Sequence, residues 1–174
     1  MTVPGEERDR GDPAPRERVR RGAADDVPDG SGPRLPFFVY GTLRPGGRYH
    51  DAYLNGHLLA EEPGLLQDTL LYEGPGYPYA VRTPSAGPVR GSLITPLPAH
   101  YARVLDALDH LEGYRPGSPD HLYDRVPLDV LREPAPSRNA LPQAVRAWVY
   151  VAPAGLAARL RASGTPLPGG DWFA

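Results

Sequence analysis

Two short stretches hold groups capable of chemistry, Val39-Tyr40-Gly41-Thr42-Leu43-Arg44 and Leu108-Asp109-His110-Leu111-Glu112-Gly113-Tyr114. The first reads as an apolar strand running into a glycine turn. A chain that leaves a strand at glycine can curl until successive N–H groups face one concavity, which suits an anion. A simple turn satisfies the same pattern. In the second stretch Glu112 falls one helical turn beyond Leu108 and two beyond Leu105, inside the apolar stripe, because helical positions advance about 100° each. Asp106 points the opposite way and Asp109 falls near the edge. A buried carboxyl with no cationic partner has its ionised form disfavoured, and the partial negative charge at a helix C-terminus acts in the same direction. Such an acid can take and return a proton near neutral pH. If the helix frays before Glu112, the side chain turns to water and the acid is ordinary.

Other groups stand near these two. Arg44, Arg48 and His50 either add positive potential beside the turn or are solvated. Tyr77, Tyr79, Tyr123 and Tyr150 either line a pocket or pack in the core. The histidines at 50, 57, 100, 110 and 121 have no metal-ligand spacing. No phosphate-binding glycine loop, dinucleotide fingerprint or Gly-x-Ser-x-Gly elbow occurs. Neither a metal nor a cofactor is expected.

The positioning elements follow from the hydrophobic pattern. Leu35–Tyr40, Leu65–Tyr72, Val89–Thr95, Leu122–Leu131 and Ala144–Ala152 read as strands, the last with Trp148 and Tyr150 on one face. Leu97–Leu111 is the clearest helix, with Leu97, Tyr101, Val104, Leu105, Leu108 and Leu111 spaced by three and four and Gly113 as its stop. A second, short helix is expected over Ala154–Ala162. Residues 74–79, 115–120 and 133–142 are Pro- or Gly-rich connections. One long helix among several strands predicts an α+β fold with a mostly antiparallel or mixed, curved sheet.

With 174 residues, 40% of them hydrophobic, the chain supports one domain with a packed core. Residues 1–34 form a different regime, with seven arginines, eight acidic residues and no aromatic residue. Such a segment buries too little apolar surface to offset its ordering entropy and is expected to be a disordered tail. The domain is then 35–174. All 19 basic residues are arginine, and the formal charge is -2. The first fact fits the coding bias of a GC-rich, bacterial-type genome, and the second gives no reason to expect nucleic acid as a partner. There are no cysteines, which removes disulfides and thiol nucleophiles. No apolar run approaches the roughly 18 residues that span a bilayer. Arg20-Arg21 is not followed by the apolar segment an export signal needs, so a cytoplasmic protein is expected.

Taken in order, these motifs resemble the γ-glutamylcyclotransferase superfamily and its AIG2-like branch over residues 36–173. The resemblance rests on Val39-Tyr40-Gly41-Thr42-Leu43, Gly76-Tyr77-Pro78-Tyr79-Ala80-Val81, Leu108 to Tyr114, Tyr123-Asp124-Arg125, Ala147-Trp148-Val149-Tyr150 and Gly170-Asp171-Trp172. It implies a small barrel-like fold with flanking helices and one cavity, in which Tyr40, Gly41, Thr42 and Leu43 hold the α-carboxylate end of a γ-glutamyl group. Tyr79 and Tyr123 would also contact substrate, and Glu112 would be the acid–base catalyst. The implied reaction forms 5-oxoproline and a free amine without metal or cofactor. The implied partner is a small γ-glutamyl substrate whose amine the sequence does not specify. A non-catalytic, metabolite-binding member of the same fold is the other reading.

Overall fold

The computed structural model describes residues 33–133 and 141–173. The segment expected to be a disordered tail lies almost wholly outside them, as does most of the 133–142 connection.

Phe37–Val39 (β1) is only three residues long, and all three are buried. It runs antiparallel to Val89–Pro96 (β5) and parallel to Gln143–Val151 (β7). With Leu58–Leu66 (β2) and Asp124–Arg132 (β6), these strands close a barrel in the order β1-β5-β2-β6-β7. Thr69–Tyr72 (β3) and Tyr79–Arg82 (β4) form a separate antiparallel pair. That pair is tied to the end of β7 by the Ala152 N–H, which donates to the Ala80 carbonyl (2.9 Å). His50–Tyr53 (α1) is a single turn. A 3₁₀ turn at Pro98–His100 leads into Tyr101–Leu111 (α2), and Ala154–Ser163 (α3) follows β7.

Alternate residues of β1 enter different cores, because successive strand side chains point to opposite faces. Phe38 joins Leu93, Val130 and Val149 in one cluster. Phe37 and Val39 pack with Tyr101, Val104, Leu105 and Leu108, the buried stripe of α2. Room for the Phe38 ring comes from two glycines paired across β2 and β5, Gly64 and Gly91. A Cβ on Gly91 would stand 2.4 Å from the Val39 carbonyl oxygen and 2.5 Å from the Phe38 ring, and one on Gly64 would reach the same ring at 3.3 Å.

Two expectations on strands are corrected. The run Leu65–Tyr72 is not one strand: it ends β2, turns, and begins β3. The turn falls at Asp68, which adopts φ 51, a left-handed conformation that Asp tolerates better than most residues. Its carboxyl accepts the Ser85 N–H at 2.9 Å. Tyr79, placed in a loop by its Pro and Gly neighbours, opens β4. The helix expected over Leu97–Leu111 is shortened at its start, where Pro98 fits the first turn of the 3₁₀ segment.

Gly91→Ala forces a methyl against backbone and a filled ring pocket, so a loss of about 2–3 kcal/mol is expected. Thermal unfolding should show a melting temperature lower by roughly 5–10 °C.

Candidate active site

The strand–glycine turn and the helix end meet at one open cleft, whose empty space including the solvent at its mouth is about 680 Å³. Tyr40, Gly41, Thr42 and Leu43 line one part of it; Glu112, Leu111, Leu122, Tyr123 and Tyr150 line the rest together with Tyr49, Tyr77 and Pro78.

The turn after β1 keeps its carbonyls for itself. The Gly41 carbonyl accepts from Arg44 N–H (3.0 Å) and the Thr42 carbonyl from Tyr49 N–H (2.9 Å). The N–H groups of Gly41, Thr42 and Leu43 have no backbone acceptor among the described residues outside the helices and strands. Backbone donors without partners are costly when withdrawn from water, so three in succession at a cleft suit an anionic ligand. Gly41 is required for close approach rather than for unusual dihedrals: a Cβ there would lie 2.9 Å from the Pro78 ring.

Glu112 is the C-cap of α2, and the helix does not fray before it. Its N–H donates to the Leu108 carbonyl at 2.9 Å. Beyond it Gly113 turns left-handed at φ 62. The Gly113 N–H donates to the His110 carbonyl (3.3 Å) and the Tyr114 N–H to the Asp109 carbonyl (2.8 Å), the paired bonds of a Schellman cap. That cap fixes where the Glu112 side chain starts. Its carboxyl has no hydrogen bond or ion pair with the described residues. Burial alone pushes its pKa from 4.5 up to about 7.

Asp109, one turn earlier, is the opposite case, and its placement at the edge of the helix is corrected. It lies inward, where its Oδ2 stands 3.1 Å from Nη1 of Arg125, with side chains only 15% and 8% exposed. Its Oδ1 accepts the Tyr150 hydroxyl at 2.7 Å. Burial raises the Asp109 pKa, while the Tyr150 hydrogen bond and Arg125 oppose that rise. The Arg125 guanidinium also lies over the rings of Tyr114 (5.1 Å) and Trp148 (4.8 Å). These contacts matter because its Nε has no hydrogen-bond acceptor among the described residues.

The tyrosines divide by what their hydroxyls do. Tyr40 donates to the Tyr150 carbonyl (2.6 Å), Tyr123 to the Pro78 carbonyl (2.8 Å), and Tyr150 to Asp109. Burial holds all three protonated, well above the usual tyrosine range. They brace the cleft, leaving Tyr49 and Tyr77 as its more accessible phenols. Tyr79, expected at the substrate, does not line the cleft. It lies behind the wall, its ring 5.5 Å from Tyr77 and 5.3 Å from Tyr123, because the first residue of β4 is drawn into the core beside α2.

Neither Arg44, Arg48 nor His50 lines the cleft. Arg44 is held by Asp171 at 2.5 Å, Arg48 lies over the Tyr49 ring, and His50 meets Asp51 and Glu61, each at 3.1 Å. Two histidines widely separated in sequence do meet, His57 and His100, with Nδ1 atoms 3.0 Å apart. Sequence reading missed the roles of Asp109, Arg125, Tyr49 and Leu122. The adjacency of Asp109 to Glu112 was the available signal for the first.

The chain belongs to the gamma-glutamyl cyclotransferase, AIG2-like family, whose model matches residues 37–174. Among solved structures it is similar to the uncharacterized protein PH0828 from Pyrococcus horikoshii, with 21% identity and a TM-score of 0.48 over 79% of this chain and 89% of that one. It is also similar to an AIG2-like protein from Mus musculus, with 24% identity and a TM-score of 0.46 over 67% and 76%. A third likeness is to an Arabidopsis thaliana protein, At3g28950.1, with 24% identity and a TM-score of 0.46 over 68% and 61%. No curated protein matches the sequence significantly. No helix among the described residues is long and apolar enough to cross a membrane.

Two measurements probe this electrostatic arrangement. Between pH 4.5 and about 7, folded Glu112 keeps a proton that the unfolded chain has released. Its contribution to stability therefore falls as pH rises through that window, by on the order of 3 kcal/mol, and is constant above it. The melting temperature of Glu112→Gln relative to the native chain should accordingly climb from pH 4.5 to 7 and then level off. Separately, Arg125→Met leaves the Asp109 carboxylate buried without its cation and should cost about 3–5 kcal/mol. Adding Asp109→Leu should recover part of that loss in denaturant titrations.

Proposed function

We propose that this chain is a γ-glutamyl cyclotransferase in which Glu112 is the acid–base group and the amides of Gly41, Thr42 and Leu43 receive the glutamyl α-carboxylate. Membership of the family supports cyclotransferase-type function in general. One observation carries the finer reading: a carboxyl raised by burial to about 7 shares a cleft with three successive amides, and among the described residues neither has a partner.

The chemistry follows from those positions. The α-ammonium must lose a proton before it can attack, and a carboxyl whose pKa lies near 7 accepts that proton at lower cost than an ordinary carboxylate would. The freed lone pair bonds to the γ-carbonyl carbon, and the carbonyl electron pair moves to oxygen. When the carbonyl re-forms, the bond from the γ-carbon to the amide nitrogen breaks and Glu112 protonates the departing nitrogen. Over the whole reaction the α-nitrogen passes from ammonium to lactam N–H, and the leaving nitrogen passes from amide N–H to ammonium. Two protons therefore pass from the α-nitrogen to the leaving nitrogen, one before attack and one after the new bond forms, and a single carboxyl that makes that passage twice balances them. Holding the α-carboxylate fixes the amine against the carbonyl it attacks, and such orientation contributes several kcal/mol, up to about 7–11 in the best cases.

Braced tyrosines suit this reaction. Their hydroxyls are already occupied, so they enclose the reacting atoms without competing for the carboxyl's proton. The apolar walls exclude water and strengthen each remaining polar contact.

The test is incubation with a panel of γ-glutamyl amides and γ-glutamyl amino acids, with 5-oxoproline measured by mass spectrometry. Glu112→Gln should lower kcat by at least about a hundredfold while leaving the fold intact. Unchanged release by that variant would discard Glu112 as the acid–base group. Binding of γ-glutamyl compounds without any release would replace catalysis by metabolite binding.

A further inference from the structure

The donors of the Gly41–Leu43 turn are aimed by what its carbonyls do. Each peptide unit is planar and trans, so an N–H points opposite to the carbonyl of the preceding residue. The Arg44 N–H holds the Gly41 carbonyl at 3.0 Å and so sets the direction of the Thr42 N–H. In the same way the Tyr49 N–H, at 2.9 Å from the Thr42 carbonyl, sets the direction of the Leu43 N–H. Leu43 is buried and anchors the turn from the core. On the outer side the chain passes at once into Pro45 and Gly46, both exposed, with Gly46 left-handed at φ 79. Arg44 is the residue through which this exposed side is fastened.

The fastening comes from 127 residues further along the chain. Asp171 Oδ1 stands 2.5 Å from Arg44 Nη1 and accepts the Phe173 N–H at 3.0 Å, while the Arg44 guanidinium lies 5.1 Å from the centre of the Phe173 ring. The segment that carries Asp171 is tied to the β3 end of the domain. There the Leu167 N–H donates to the Leu71 carbonyl (2.8 Å), and the Glu73 N–H donates to the Thr165 carbonyl (2.9 Å). Gly170, at φ 64, passes so close to Pro88 that a Cβ would stand 2.3 Å from its carbonyl oxygen. The paired side chains are only 18% and 21% exposed. Partial burial disfavours the Asp171 charge, but the Phe173 N–H and the Arg44 guanidinium hold its pKa below the ordinary carboxylate value. The pair keeps the Arg44 side chain out of the cleft lining.

We propose that Asp171 is a positioning residue for the amide cradle, holding Arg44 so that the Gly41–Leu43 donors are aimed into the cleft before a ligand arrives. The inference rests on the reading of those amides as the seat of the glutamyl α-carboxylate, and adds the residue that preorganises them. When a site is competent only part of the time, its apparent affinity falls by that fraction. A turn aimed correctly about one-fifth of the time therefore binds a carboxylate about fivefold more weakly, while a molecule without a carboxylate is unaffected. A purely electrostatic role has the opposite sign. If Asp171 only neutralises a cation near the cleft, removing its charge frees Arg44 to attract the carboxylate.

The full chain and its Asp171→Asn and Asp171→Glu variants are to be titrated by NMR with 5-oxoproline and with pyrrolidinone, the same lactam without the carboxylate. Each is also assayed for kcat and KM on a γ-glutamyl amide. Asp171→Asn should weaken 5-oxoproline by at least about fivefold, raise KM by a similar factor and leave kcat within about twofold. Pyrrolidinone binding should not move, and Asp171→Glu should recover much of the loss. Equal or tighter binding of 5-oxoproline by Asp171→Asn would overturn the inference and leave the cyclotransferase reading standing. Equal weakening of both lactams would overturn it too, by showing a general loosening of the cleft. A native chain that neither releases nor binds 5-oxoproline would remove the inference and the reading beneath it together.

Discussion

The structure depends on three residues that must satisfy two cores at once. β1 closes the barrel between β5 and β7, so neither of its faces is free for water. Phe38 fills the space opened by two glycines, while Phe37 and Val39 support α2. A strand buried on both faces must be apolar throughout. The chain leaves the sheet at Tyr40 although β5 runs on to Val89 and β7 to Val151.

Two carboxyls on the same helix show how neighbourhood decides chemistry. Asp109 and Glu112 are three residues apart and both turn inward. One meets a guanidinium and a phenol, and its charge is absorbed into the wall. The other has no ion pair or hydrogen bond with the described residues, and burial raises its pKa to about 7. A Schellman cap fixes the backbone beneath Glu112, while no described residue hydrogen-bonds the carboxyl itself.

Much of this was legible in the sequence because local pattern and tertiary demand agree. The Phe-Phe-Val run, the three-and-four spacing of α2 and the stop at Gly113 each report the environment in which they sit. The inward aim of Glu112 follows from helical geometry alone, and the ordered motifs identified the family that the domain belongs to. What escaped was set by partners distant in sequence. Leu58–Gly64 lacks a strand-like pattern, yet pairing with β5 makes it one. Tyr79 and Tyr123 are alike by type and proximity to motifs, but only the packing of β4 shows that the first stands behind the second. Asp109 was misplaced because its angle on the helix was read without Arg125, whose attraction rewards an inward turn.

The two ends of the cleft are built from different parts of the chain. The amides come from the exit of β1, where any shift would disturb barrel closure. Tyr49 and Leu122 belong to connections that carry no ladder register. Changes at the rim can therefore accumulate with little cost in stability, whereas changes at the floor are paid for by the whole domain. A scaffold divided in this way can keep one reaction while exchanging the molecules on which it acts.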